Sequence, residues 1–246
     1  MEIKLQKIED KVRKLEDYVN NNKESVSEKE VIEKLQEINK CFLQNIIIKI
    51  NRLKIYPVEI EIYYYKEGTF KDSTCHRNEL QENNFSNLYF HRAGRLKEKK
   101  TLIDTTYHGG VDVCLSKGKY NLSILLRSAY IINRKETKLI TGIHRVVNQI
   151  TDELESLLEE GKINIEYDIY EDKKDEKKDF LGKRIDDFCS HERIKKTKKK
   201  EIYFGDKREL NTFINNTEII EEIYKDKDEE IKNNLRKKLN NDSLFK

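Results

Sequence analysis

Cys41-Phe42-Leu43-Gln44-Asn45-Ile46-Ile47-Ile48-Lys49-Ile50, followed after seven residues by Val58-Glu59-Ile60-Glu61-Ile62-Tyr63, is the stretch on which the fold turns. Up to Asn45 the apolar residues keep helical spacing: Val31, Leu35, Ile38 and Phe42 form one face of a helix, and Ser27 with Glu30 makes a capping box at its start. From Asn45 the period changes to two. Ile46, Ile48 and Ile50, then Val58, Ile60 and Ile62, predict two strands of an antiparallel pair around a turn at Tyr56-Pro57. Alternation then places Glu59, Glu61 and Tyr63 together on the opposite face.

Toward the N-terminus, Leu5, Ile8, Val12, Leu15 and Val19 draw a narrow apolar seam on a charged helix. Such a helix either docks on its own domain or makes a homodimer contact of coiled-coil type. Toward the C-terminus, residues 66–87 read as a long polar loop, and strands are expected at 110–115, 120–127 and 163–170. A helix over 141–158 carries Ile143, Val146, Val147, Ile150 and Leu154 on one side. Residues 171–179 are nearly all charged and read as an exposed loop. Arg193 to Lys200 holds six positive charges in eight residues, either a solvated turn or a phosphate-contacting patch. Thr217 to Leu239 reads as a charged amphipathic helix.

With 246 residues the chain is long enough for one sizeable core. Charged residues (39%) outnumber hydrophobic ones (36%), so much of the chain must be solvated surface. Forty-nine Lys and Arg against forty-six Asp and Glu leave a formal +3, too little to announce a polyanion partner except through a local cluster. No apolar run reaches the length of a membrane span and the first twenty residues are too charged for a signal peptide, so a cytoplasmic protein with no membrane partner is expected. Cys41, Cys75, Cys114 and Cys189 lack paired spacing, and free thiols are expected. Cys75-His76 and Cys189-Ser190-His191 contain four candidate metal ligands without the two-residue spacer of zinc knuckles. Gly109-Gly110 is not followed by the Lys-Ser or Lys-Thr of a phosphate loop. Neither a metal nor a cofactor is expected.

Four segments, in order, resemble the 3-methyladenine (alkyladenine) DNA glycosylases. The opening stretch is similar to that family's helix, strand, turn and "V-E-x-E-A-Y" strand, with the second Glu falling on Glu61 and the Tyr on Tyr63. His76 stands fourteen residues before Phe90 and eighteen before Gly94, as the family's pocket histidine stands before its "M-F" and "P-G" motifs. Gly109 to Cys114 and Ile124 to Arg127 resemble its Gly-containing strand and "V-L-L-R" strand, and Leu139 to Arg145 its "T-G-P" helix start. Arg184-Ile185 is a fainter echo of "R-I-G". The resemblance covers about residues 41–150. The chain departs from the family at 99–106, where Asp104, Thr105 and Thr106 stand in the region of two tyrosines, and at Ser116, where the family has a discriminating Asn.

The resemblance implies an α+β fold, a single domain with a curved, mostly antiparallel sheet packed with helices. Residues 1–40 would be an N-terminal helical extension, 41–210 the glycosylase-like domain and 211–246 a C-terminal helix. It implies hydrolysis of an N-glycosidic bond, with a modified purine flipped out of duplex DNA. Such a reaction passes through an oxocarbenium-like state and needs a carboxylate to activate water and offset charge on the sugar. Glu61 is the candidate for that role, Glu59 its rival two residues earlier, and Tyr63 an orienter or stacking wall. His76 and Phe90 would line the base pocket, the wedge tyrosine falls near Tyr107 or His108, and Ser116 takes the discriminating position. His91 is a weaker candidate than His76. Arg127, on an otherwise apolar strand, calls for a carboxylate or phosphate partner. Asp112, between Val111 and Val113, either faces solvent or reads a substrate donor. Lys97, Lys99 and Lys100, with Lys195, Lys196, Lys198, Lys199 and Lys200, are the candidates for the nucleic-acid backbone. Two further readings stay open: an N-glycosidase acting on nucleotides or another nucleic acid, and a non-catalytic binding module of the same fold.

Overall fold

The computed structural model describes residues 5–23, 25–72, 74–75, 77, 81–91, 109–133, 136–159, 167–171, 188–196 and 202–214. These form three helices and one curled antiparallel sheet, a half-barrel. The chain opens with α1 (Gln6–Asn21) and α2 (Glu28–Asn45) and passes directly into β1 (Ile46–Ile50) and β2 (Leu53–Tyr65). Next come β3 (Leu88–Phe90), β4 (Val111–Cys114), β5 (Asn121–Ile132) and β6 (Thr137–Thr141). The described elements end with α3 (Ile143–Glu159), β7 (Tyr167–Glu171), β8 (Phe188–Lys196) and β9 (Ile202–Ile214). The strand order is β3-β4-β5-β2-β1-β7, with β6 also on β5, β9 also on β2, and β8 on β9.

Two long strands organise this sheet. β2 and β5 pair from Lys54↔Ile132 to Tyr65↔Asn121, and each changes its outer neighbour midway. β2 is flanked by β1 as far as Ile55 and by β9 from Glu59, while β5 is flanked by β4 over Ser123–Leu125 and by β6 from Ser128. The expected turn at Tyr56-Pro57 is not there. The chain reverses at Asn51-Arg52, where Asn51 takes a φ of 49°, a conformation Asn tolerates better than most residues. β2 then runs straight through Pro57, which sits beside a register shift, at the point where the strand exchanges one neighbour for the other. A proline has no N–H for a ladder and is accommodated in strands at such irregularities.

The core lies between the helices and the apolar sheet face. Ile48, Ile60, Ile62, Val113, Leu122, Ile124 and Leu126 all cluster there with the buried faces of α1 and α2. Ser27 Oγ accepts from the N–H of Glu30 at 3.4 Å, the expected cap. Residue 40 falls within α2 and residue 210 within β9, and both N-terminal helices share the core of the sheet. The seam of α1 is consumed inside the chain: Ile8, Val12, Leu15 and Val19 are all buried, so it is not available as the homodimer contact. Leu15→Ala is therefore expected to cost about 2–5 kcal/mol of folding stability, read from urea denaturation.

Polar contacts tie α1 to the sheet. The Tyr64 hydroxyl donates to Glu16 at 2.7 Å, and Lys66 Nζ meets the same carboxylate at 2.6 Å. Burial, and then the charge of Glu16, push the Tyr64 hydroxyl far above the ordinary tyrosine range. Burial likewise pushes Tyr120 up to about 12, against a lowering hydrogen bond from the Lys117 backbone. Both phenols keep their protons in the folded chain after the unfolded chain has lost them. Stability is thus full below about pH 10 and falls as pH rises through 10 to 12. A denaturation series over that window, with Tyr120→Phe showing a shallower decline, checks the sign.

α3 carries Val146, Val147, Ile150 and Leu154 inward, as its periodicity predicts. Gly142 precedes it at a φ of 92°, a conformation that a side chain would strain. The short edge strands β3 and β6 and the hairpin β8–β9 are not apparent in the sequence. The helix expected at 217–239 and the loop at 171–179 lie outside the described residues, except for Glu171 at the end of β7. No described helix is long and apolar enough to cross a membrane.

Candidate functional site

The sheet face turned away from the helices carries the charge. Alternation along β2 puts Ile60 and Ile62 into the core and Glu59, Glu61 and Tyr63 on the other face. On β5, Leu122, Ile124 and Leu126 go to the core, while Ser123 and Leu125 share the face of Glu61. A bulge between the strands at Glu59 lets Arg127 reach across. Its Nε donates to Glu59 at 3.1 Å and its Nη1 to Glu61 at 2.6 Å. The Ser128 hydroxyl donates to the other oxygen of Glu59 at 2.5 Å. Glu59 and Glu61 are only 4% and 5% exposed, so these are carboxylates taken out of water and compensated by one shared guanidinium. Such a pairing offsets the desolvation cost when its geometry is good, and removing a partner is expensive.

A third buried carboxylate, Asp112, shares the ladder row of Glu61. Tyr89, Asp112, Leu125, Glu61 and Asn211 are successive register partners across β3, β4, β5, β2 and β9. At about 4.8 Å between strands, the backbones of Asp112 and Glu61 are roughly 10 Å apart with Leu125 between them. Asp112 is fully buried. It accepts from the Ser123 hydroxyl at 2.8 Å and from Gln81 Nε2 at 3.2 Å, and its other oxygen meets His91 Nε2 at 2.7 Å. The ring of Tyr89 lies 5.4 Å from that imidazole. Gly109 and Gly110 enter β4 beside this network. A Cβ on Gly110 would come within 2.5 Å of Leu125 Cδ1, and one on Gly109 within 2.0 Å of the His91 carbonyl oxygen. At Gly109, where the neighbour is backbone, only glycine lets the chain approach so closely; at Gly110 the Leu125 methyl ends a flexible side chain that can move aside.

The structure sorts the expected site residues. Glu61, Tyr63, Asp112 and Arg127 share one face, Tyr63 standing opposite Ser123, the residue that donates to Asp112. Arg127 has the carboxylate partners its position demands. Asp112 neither faces solvent nor stands open to a substrate donor on the oxygens that Ser123, Gln81 and His91 occupy. Phe90 is turned the other way: it pairs with Val111 and packs on the hydrophobic core, and its neighbours Tyr89 and His91 take the face toward Asp112. Ser116 is a turn residue here. Its hydroxyl accepts from the Leu122 N–H at 2.7 Å and donates to the Leu122 carbonyl at 3.2 Å, closing the β4–β5 hairpin away from the carboxylates. His76, Tyr107, His108, Lys97, Lys99, Lys100, Lys198, Lys199 and Lys200 lie outside the described residues. Lys195 and Lys196 fall in β8, at register positions opposite Tyr203 and Ile202.

No protein-family model, curated protein or solved structure matches the chain.

Sequence reasoning set His91 below His76 and passed over Gln81, Ser123 and Ser128. The signal for the serines is a polar residue at alternating positions of an apolar strand; Gln81 leaves none, because a loop has no period. Among the described residues no group of three or more His, Cys, Asp and Glu is arranged to hold a metal ion. Cys41, Cys75 and Cys114 are buried thiols outside any disulfide. Burial, then the nearby Asp112 charge, push the Cys114 thiol up to about 12, which removes it as a nucleophile at neutral pH. Two described cavities, of about 450 and 320 Å³, lie against α1 and the β4–β5 turn, and beside residues 68–71. Neither is lined by Glu61 or Asp112.

Proposed function

We propose that this chain hydrolyses an N-glycosidic bond, excising a modified purine base from DNA, with Glu61 as the group that activates water. The observation that carries the reading is the position of Glu61: a buried carboxylate, oriented by Arg127 at 2.6 Å, on the sheet face that also holds Tyr63 and the Asp112–His91 pair. Its place in the ordered segments that resemble the alkyladenine glycosylases supports the same role.

In this reaction the bond between the sugar carbon and the base nitrogen breaks, and the base leaves with the electron pair. Water adds to the sugar carbon as its proton passes to the Glu61 carboxylate. Positive charge developing on the sugar favours a fixed carboxylate over a solvated one, because a pre-oriented group in a low-dielectric site needs no reorganisation. Glu59, held by Arg127 and Ser128, fixes the guanidinium that in turn aims Glu61. Base flipping from a duplex brings the sugar to a sheet face that a stacked nucleotide could not reach. In this reading the protein works in the cytoplasm without a cofactor.

A second reading, a non-catalytic nucleic-acid or nucleotide-binding module of the same fold, draws on the pairing of both glutamates with Arg127. The two are separated by incubating the protein with duplexes carrying hypoxanthine, ethenoadenine or 3-methyladenine, and separately with free nucleotides. Free base from a duplex supports excision from DNA; free base from nucleotides alone moves the substrate to the nucleotide class; none from either favours the binding module.

A further inference from the structure

The network around Asp112 leaves one atom unspent. Gln81 is 1% exposed, and its Nε2 donates to Asp112 at 3.2 Å and to the Ser123 hydroxyl oxygen at 3.3 Å. Ser123 gives its own hydroxyl proton to the same Asp112 oxygen at 2.8 Å, and His91 meets the other oxygen at 2.7 Å. The amide oxygen of Gln81, Oε1, is buried with no hydrogen-bond partner. Turning the amide over offers no remedy, because the oxygen would then face a carboxylate that accepts and does not donate. Asp112 and Ser123 therefore hold the amide one way round, with the nitrogen engaged and the oxygen fixed as an acceptor.

A buried acceptor without a donor costs free energy, and folded chains keep few of them. The N–H of a ligand would complete this one. Its place in the sheet says which ligand. Asp112 and Glu61 stand in one ladder row with Leu125 between them, roughly 10 Å apart at the backbone. A purine whose sugar carbon meets Glu61 lays its rings over Leu125 and points its far edge, the one with N1 and the substituent at position 6, toward the Gln81 end of the row. Tyr89 and His91 are the more exposed members of the network, so a base arrives past their rings.

We propose that Gln81 is the specificity-determining residue of this site, its Oε1 accepting an N–H from the far edge of the extruded base. The inference rests on the reading of Glu61 as the group that activates water at the sugar. It assigns the substrate class: a purine with a donor on that edge. Hypoxanthine carries N1–H and 3-methyladenine an exocyclic amino group, whereas the etheno bridge of ethenoadenine closes both nitrogens and leaves no N–H. A base without the donor leaves Oε1 buried and unpaired in the complex, the mismatch on which hydrogen-bonding sites discriminate.

The test is single-turnover base release from duplexes carrying each of the three bases, by the wild-type chain and by Gln81→Met and Gln81→Lys. Methionine removes the acceptor; lysine also removes it but keeps donors for Asp112 and Ser123. Both variants are expected to lower release of hypoxanthine and 3-methyladenine about tenfold or more relative to ethenoadenine. Equal losses on all three bases would make Gln81 a structural member of the network, and unchanged release would make its oxygen idle; either overturns the proposal and leaves the role of Glu61 standing. Circular dichroism checks that each variant is folded, and the lysine variant stands in if the methionine variant is not. If the wild type releases no base, the reading of Glu61 fails and fluorescence anisotropy with the same duplexes decides the rest. A wild-type preference for hypoxanthine over ethenoadenine that the variants erase upholds Gln81 as the recognising group, and the absence of that preference overturns it.

Discussion

Arg127→Met is expected to lower folding stability by about 3–5 kcal/mol, the cost of leaving a buried ionic group without its partner. The guanidinium is the charge shared by Glu59 and Glu61, at 3.1 and 2.6 Å, and both carboxylates are almost wholly withdrawn from water. Methionine fills much of the volume but offers no donor, so two like charges would face each other two residues apart on one strand. For a chain of this size the loss corresponds to roughly 6–20 °C in Tm. Arg127→Lys should recover part of it, since one ammonium can serve one carboxylate well and cannot fork between two. Thermal and urea denaturation give the number. A loss under about 1 kcal/mol would show that the cluster is solvated.

Glu61→Gln is expected to abolish most base release, by roughly 10²- to 10⁴-fold, the range for loss of a positioned acid–base group. The substitution keeps the shape and an oxygen for Arg127, and Glu59 remains to pair with the guanidinium, so folding should survive. Glu59→Gln separates the two glutamates. Its carboxylate accepts from both Arg127 and Ser128, which makes it a positioning group, and a smaller fall in kcat with KM little changed is expected. Equal losses from both variants would mean that the ion-paired cluster acts through stability and not through one carboxylate.

Much of the scaffold was legible because burial imposes a period. The helix faces of α1, α2 and α3 and the two-residue alternation around Ile48, Ile60 and Ile62 follow from the need to hide one side of each element. Pro57 misled because a proline between two apolar runs ordinarily marks a turn, and only the pairing shows that β2 changes neighbours there. β8 was hidden for a different reason. A run rich in lysine and arginine reads as solvated coil, yet a strand whose one partner is β9 can carry charge along its length.

The site was half legible. Glu61, Glu59, Arg127 and Asp112 announce themselves as charges set among Val, Ile and Leu, positions where an ionic group needs a partner. Which partner each finds depends on register. Asp112 meets His91 because β3 pairs with β4, and Gln81 because the stretch before β3 brings that side chain to the same carboxylate, and nothing in spacing along the chain encodes either. Phe90 was assigned to the pocket on its interval from His76, whereas alternation in β3 sends it into the core and leaves its two neighbours facing Asp112.

The central claim concerns one carboxylate and one bond. It is tested most directly by quantifying free purine, by mass spectrometry, after the wild-type chain and its folded Glu61→Gln variant act on duplexes carrying hypoxanthine, ethenoadenine or 3-methyladenine. The account predicts free base and an abasic sugar from the wild type and at least a hundredfold less from the variant; intact duplexes in both reactions, or equal release in both, would contradict it.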